Sequence, residues 1–250
     1  MGRIVPAIDI NLLGTFSVHM AGKALFFPYQ KPQFLLAYLV AEGRTVYRGH
    51  LASLLWPDRS EHHSRQNLRQ ALASLKNLFG ESFDDLFVST RQTIEFIGYE
   101  QCNIDTENLK NAVHFTPSVN SGRNGPSLQD LYRGPFCHGF HVAGGNKFDE
   151  WLESRQQEFR SLAVTLGLRL IDDYQQAQQE HHVILGYTQL LAIERHDESL
   201  INEFMRYLVM QGRRLQAITL FREHATRLRQ EYGLQPDRHL VMLYESLTHG

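Results

Sequence analysis

Beyond residue 146 the chain is helix-forming almost without interruption, and this limits its fold more than any other feature. Apolar residues recur at helical spacing over 147–180, 182–195, 198–211, 213–232 and 238–247. The breaks are brief: His181, His196 with Asp197, Gly212, and 233–236, which closes on Pro236. Links that short make consecutive helices antiparallel neighbours, which predicts stacked helical hairpins. In the first and longest helix Trp151, Phe159, Leu162, Leu166 and Leu170 follow helical spacing and are expected in the core.

The first hundred residues read differently. Alternating runs at 8–13 and 16–20, with a third run at 24–27, predict a small antiparallel sheet. Pro32 suits the first turn of a helix whose apolar face holds Phe34, Leu35, Leu36, Tyr38, Leu39 and Val40, and Gly43 is placed to end it. A second short helix over 48–55 turns Leu51, Leu54 and Leu55 inward and stops at Trp56, Pro57 and Asp58. A polar connection over 59–63 leads to a third helix over 64–79, ended by Gly80. Runs at 87–89 and 93–97, joined through Thr90, Arg91 and Gln92, predict a two-stranded hairpin. Strands, three helices and a hairpin in that order spell a winged helix-turn-helix. The expected fold class is therefore mainly α with a small antiparallel β part. It comprises a winged-helix domain over 1–100 and an all-α domain over 101–250, with the Pro-, Ser-, Asn- and Gly-rich stretch inside 112–130 as a flexible segment. Ile184, Gly186, Tyr187 and Leu190 recur as Leu215, Ala217, Ile218 and Phe221, an offset of 31 residues. That echo resembles the helix pairs of the tetratricopeptide family, where a small residue admits a neighbouring helix.

A chain of 250 residues suits two modest domains. Its two cysteines, Cys102 and Cys137, are too few for a disulfide framework and read as reduced thiols in the cytoplasm. No apolar run approaches the roughly 20 residues of a membrane span, so no membrane association is expected. The net charge of −2 argues against coating nucleic acid by charge alone. Between Lys31 and Asn77, however, seven cations face three anions, and a positive module in a neutral chain is what a phosphate-contacting domain needs.

The third helix carries the chemistry. Leu68, Leu72, Leu75 and Phe79 form its buried stripe. The opposite side holds Gln66, Asn67, Gln70, Ser74 and Asn77, flanked by Arg69 and Lys76, with no acid between Glu61 and Glu81. Surface helices ordinarily mix Glu with Lys. A face of neutral amides and Arg suits base edges instead, since Gln and Asn can pair with adenine and Arg with guanine or phosphate. Gln66, Asn67, Gln70 and Ser74 are the candidate base readers. Lys31, Arg48 and Arg65, at the starts of the three helices, are candidate phosphate contacts together with Arg69 and Lys76, and Arg91 near the hairpin tip is a candidate wing contact. Arg65 could equally pair with Asp58 or Glu61 to hold the preceding loop. Trp56 reads as a core anchor.

No metal, cofactor or catalytic site is expected. The adjacent pairs His62–His63 and His181–His182 point to different sides of a helix. Cys137, His138 and His141 form the one mixed cluster, without an orienting acid or oxyanion site for a nucleophile. Arg213, Arg214, His224, Arg227 and Arg229 read as a solvated basic face. A Gly-Lys-Ser/Thr phosphate loop is absent.

The segment from Ser64 to Gly80 resembles the third helix of the Streptomyces antibiotic regulatory protein type of activator, and Leu54 to Asp58 the end of its second. Leu131 to Phe136, Phe148 to Glu153, Leu228 to Pro236 and Leu243 to Leu247 resemble the bacterial transcriptional activator domain that accompanies it. The resemblance runs from about Ile8 to Leu247, with a stretch between wing and Leu131 shorter than the family pattern. It implies an OmpR-like amino-terminal domain that binds direct repeats at promoters as side-by-side protomers or a homodimer, and contacts RNA polymerase. The helical domain would mediate self-association or regulation by a small ligand or protein effector. By position, Gln70 and Ser74 would face bases, with Gln66, Asn67, Arg69 and Lys76 nearer the phosphates. The 59–63 connection or the helical domain would meet the polymerase. The competing expectation is a non-DNA adaptor that holds a protein partner between its helix pairs.

Overall fold

The computed structural model describes residues 7–114 and 127–249. The described residues divide into two compact units, one of 7–114 with 129–163 and one of 127–128 with 164–249. The fold is mainly α: a winged helix-turn-helix with its small sheets, followed by a helical repeat-like array.

In the first unit, β1 (Ile8–Asn11) pairs antiparallel with β2 (Ser17–Met20), which pairs with β3 (Lys23–Ala24). Ile8 and Ile10 point into the core while Asp9 and Asn11 alternate outward. The third strand is shorter than expected, because the chain leaves the sheet after Ala24 and Phe26 is left 85% exposed. Helix α1 (Gln30–Glu42) follows and ends at Gly43, whose φ of 59° is the left-handed conformation of a helix stop. All seven residues from Phe34 to Val40 are buried, so α1 is covered on every side. Strand β4 (Val46–Tyr47) leads into α2 (Arg48–Leu55), and a turn through Trp56–Ser60 into α3 (Glu61–Phe79). The expected 59–63 connection is thus mostly helix: Glu61, His62 and His63 form the first turn of α3. After a 3-10 turn, α4 (Phe83–Leu86) feeds the hairpin of β5 (Phe87–Ser89) and β6 (Thr93–Phe96), and β4 adds to β6 as a third strand. Strand β7 (Cys102–Ile104) returns to pair parallel with β1, and α5 (Asp105–His114) follows.

Residues 129–163 complete this unit. The isolated bridge Leu13–Phe136 and the bond from Cys137 N–H to the Leu12 carbonyl, at 2.6 Å, lay the 133–138 strip beside the end of β1. Gly14 (φ 90°) and Gly134 sit back to back there, and a Cβ on Gly134 would lie 3.3 Å from the Gly14 Cα. The buried Asp105 carboxylate accepts from the Leu12 and Leu13 amides and from Arg133. Helix α6 (Leu128–Leu131) precedes that strip, and α7 (Asn146–Gln176) follows it. The beginning of α7 packs on α1: Phe34 stacks on Phe148 at 5.4 Å, and the Tyr38 and Trp151 rings meet at a tilt with centroids 4.7 Å apart. Trp151 Nε1 and Arg155 both donate to the nearly buried Glu42 carboxylate, at 2.9 and 3.2 Å.

The second unit takes α7 from Val164 onward, then α8 (Glu180–Ile193), α9 (Glu198–Met210), α10 (Arg214–Tyr232) and α11 (Arg238–His249). Stacked rings of Tyr187 on Phe204 and Phe221 on Tyr244 join successive helices. Gly186 admits Ile171 so closely that a Cβ would lie 2.7 Å from its Cγ1. Helix α7 ends at Gln176, short of the expected 180, because Gln178 turns left-handed (φ 56°), so His181 and His182 belong to the first turn of α8. Of the expected flexible 112–130 segment, Ala112 to His114 and Leu128 to Asp130 are helical, and 115–126 lies outside the described residues.

Candidate nucleic-acid interface

Helices α2 and α3 make the helix-turn-helix. The turn between them is fixed from inside: the buried Ser64 Oγ donates to the Trp56 carbonyl at 3.0 Å. Ser64, Leu68, Ala71, Leu72, Leu75 and Phe79 form the buried side of α3, as the leucine spacing predicts. Arg65, Gln66, Arg69, Gln70, Ala73, Lys76 and Asn77 are exposed, and the small Ala73 keeps that surface slim. Asn67 and Ser74 are half-buried, and Ser74 Oγ donates to the Gln70 carbonyl one turn back at 3.0 Å. Ser74 and Asn67 therefore stand at the margins of the exposed face, with Gln66 and Gln70 at its centre.

The hairpin is held in register against α2. The Arg48 amide donates to the Gln92 carbonyl at 2.8 Å, and Thr90 Oγ1 accepts from the Thr93 amide at 2.9 Å, closing the turn that presents Arg91. Arg48 reaches across to donate to Ser89 Oγ at 2.7 Å. Between α2, α3 and this turn lies a cleft of about 580 Å3 lined by Tyr47, Arg48, Gly49, Arg65, Leu68, Arg69, Arg91 and Gln92. Four of the six expected cations thus meet in one place. Burial lowers the pKa of Arg48, whose Nε is buried without a protein partner. Arg65 shares an exposed ion pair with Glu61 at 2.6 Å, one of the two partners its position suggested.

The other two expected cations stand apart. Lys76 lies 3.5 Å from Asp84, with its ammonium over the Phe83 ring. Lys31 is turned into the fold: its ammonium donates to the Leu55 carbonyl at 2.7 Å and sits over the Phe34 and Trp56 rings. Burial lowers its pKa, opposed by the charge of Asp149. The ammonium is thus engaged at the end of α2 and stands apart from the cations expected at a phosphate. Tyr47 and Gln92 line the cleft without having been singled out in the sequence. The signal for them was the β4–β6 pairing, which sequence alone does not give.

Elsewhere, the Cys137 thiol is buried and its pKa pushed well up, and His141 pairs with Asp149 at 3.1 Å. No group of three metal-ligating side chains converges among the described residues, and none of the described helices is long and apolar enough to cross a membrane.

The sequence model of the bacterial transcriptional activator domain matches residues 128–248. No curated protein matches the chain in sequence. Among solved structures, Mycobacterium tuberculosis EmbR in complex with a low affinity phosphopeptide shares the fold, with a TM-score of 0.60 and 17% identity. The match covers 97% of this chain and 65% of that one, so the chain spans just under two thirds of EmbR's length. Residues 128–248 thus match a bacterial transcriptional activator domain, and the chain shares the fold of EmbR along nearly its whole length.

Proposed function

We propose that the protein is a sequence-specific DNA-binding transcription regulator rather than an enzyme. It binds direct repeats in promoter DNA as side-by-side protomers, recruits RNA polymerase and works in the cytoplasm. The observation that carries this reading is the exposed face of α3, free of acid beyond its first turn, beside the four-arginine cleft. A helix of amide side chains fits the major groove, and flanking guanidiniums fit the backbone on either side of it. Gln70 and Gln66 read bases from the centre of the face, with Asn67 and Ser74 at its edges. Arg48, Arg65, Arg69 and Arg91 hold phosphates, and Lys76 steers from the far end. The structural match to EmbR, whose structure carries a phosphopeptide, supports a protein effector as one input. An open groove of about 360 Å3 on the helical unit, lined by Phe204, Leu208 and Leu215 among others, supports the same role for α8–α10.

Binding to the promoter regions of its own gene and its neighbours, competed with shuffled DNA, tests the proposal. Gln70→Ala should cost about 1–3 kcal/mol at one base position, and Arg69→Ala should weaken all DNA evenly and lower the salt slope by about one. Neither variant altering binding to any DNA would remove α3 as the reading helix and favour the adaptor.

A further inference from the structure

The cleft between α2, α3 and the wing concentrates positive charge in one place. Each backbone phosphate of DNA carries a single negative charge. The cleft gathers four guanidiniums, and among the described residues only Arg65 of the four has a carboxylate partner, on its exposed side. None of the residues lining it is an acid.

The cleft is also built as a receptacle. Ser89 fixes the Arg48 guanidinium from behind, leaving its Nε buried without a protein partner. Gly49, in the first turn of α2, leaves open space where a Cβ would stand, so a ligand can approach that backbone. Helix α2 has neither a side-chain cap nor an acid in its first turn, and the positive end of its dipole is unneutralised. On the rim, the Tyr47 ring is 68% exposed, a flat apolar surface beside a pocket of cations.

We propose that this cleft binds a nucleoside di- or triphosphate, with the phosphates among Arg48, Arg65, Arg69 and Arg91 and the base against Tyr47. A terminal phosphate alone carries about −1.5 to −2 near neutral pH, so a chain of phosphates matches the guanidinium cluster where a single phosphodiester does not. Stacking on an aromatic ring accepts any base, so the site selects the polyphosphate more than the nucleobase. Binding involves no bond cleavage. Because the same four arginines and α3 also serve the proposed DNA contact, the nucleotide and DNA exclude one another; this regulatory consequence rests on the DNA-binding reading, and the site itself does not.

The test is calorimetric titration of the full chain at fixed ionic strength, without added divalent cation, using ATP, tripolyphosphate and adenosine. ATP and tripolyphosphate should bind saturably and adenosine should not. Arg48→Ala and the exposed Arg91→Ala should each weaken both anions by about tenfold or more. Tyr47→Ala should weaken ATP and leave tripolyphosphate unchanged. Arg91 stands at the wing tip, so its variant reads the site even if Arg48→Ala impairs folding. Equal ATP affinity in wild type and Arg91→Ala, or no saturable binding, overturns the proposal. Displacement of labelled promoter DNA by ATP then separates the two readings. DNA binding that depends on Arg69, with no ATP binding, leaves the regulator standing and removes the site. Arginine-dependent ATP binding with no DNA preference does the reverse.

Discussion

Replacing Lys31 with methionine separates what this side chain does from what its place in the sequence suggests. Methionine keeps most of the aliphatic stem and deletes the ammonium. What is lost is a charge-assisted hydrogen bond to the Leu55 carbonyl at 2.7 Å, of order 1.5–3 kcal/mol. Two cation–π contacts, 5.6 Å from the Phe34 ring and 5.9 Å from the Trp56 ring, add about 0.5–1 kcal/mol each. Against this, the variant no longer desolvates a half-buried ammonium, the effect that lowers the Lys31 pKa. The balance is a loss of about 1–2 kcal/mol, and in a chain of this size that lowers Tm by roughly 2–8 °C. Thermal unfolding followed by circular dichroism measures it. The companion assay is the salt dependence of promoter binding. Lys31→Met should leave the slope unchanged, because no phosphate contact disappears, while Arg69→Ala should reduce it by about one. An unchanged Tm with a lowered salt slope would refute the reasoning and return Lys31 to the DNA.

Two further perturbations probe the units separately. Burial pushes the pKa of Glu42 up, but hydrogen bonds from Arg44 and Trp151 and the charges of Arg155 and Arg44 outweigh it and hold the carboxyl below its usual value of 4.5. A carboxyl depressed in the fold stabilises it above the unfolded value and loses that contribution as pH falls through the folded value. Glu42→Gln should therefore melt about 1–3 kcal/mol less stably at neutral pH yet flatten the acid limb below pH 4.5, and an unaltered acid limb would count against the buried pairing. In the second unit, Gly186→Ala drives a Cβ to 2.7 Å from Ile171 Cγ1. Overpacking of about 1–3 kcal/mol should exceed the roughly 1 kcal/mol of helix propensity gained, and Ile171→Ala should relieve it in a double-mutant cycle. Additive effects would mean the two helices are not in close contact there.

The sequence announces features whose cause is local. The buried stripe of α3, its acid-free face and the turn residues of the wing are each written within a few positions, and they fold as they read. Features set by distant partners are silent. Nothing near Cys102 tells that β7 will lie parallel to Ile8–Asn11, a pairing made across most of the first unit. The direction of Lys31 depends on where α2 ends, and its position at a helix start favoured solvent. The left-handed break at Gln178 falls on an ordinary residue, so the break read at His181 placed the end of α7 too late. One clue was present but easily passed over. The run from Phe34 to Val40 is apolar around the whole helix, which a helix with one solvent face would not tolerate. It foretells a second cover for α1, which α7 supplies.

That cover has a consequence for how such a chain can be taken apart. Phe148 and Trp151 lie inside the stretch that matches the activator domain, yet they seal the core of the first unit. A graft cut ahead of Leu128, where the homology begins, would carry away the wall against which Phe34 and Tyr38 are packed and leave an oily flank on both fragments. A transplant that keeps its shape must carry everything through Ala163, and so must cut inside a helix. The two units are therefore inherited as one piece: recombination can exchange whole chains of this kind more readily than either unit alone.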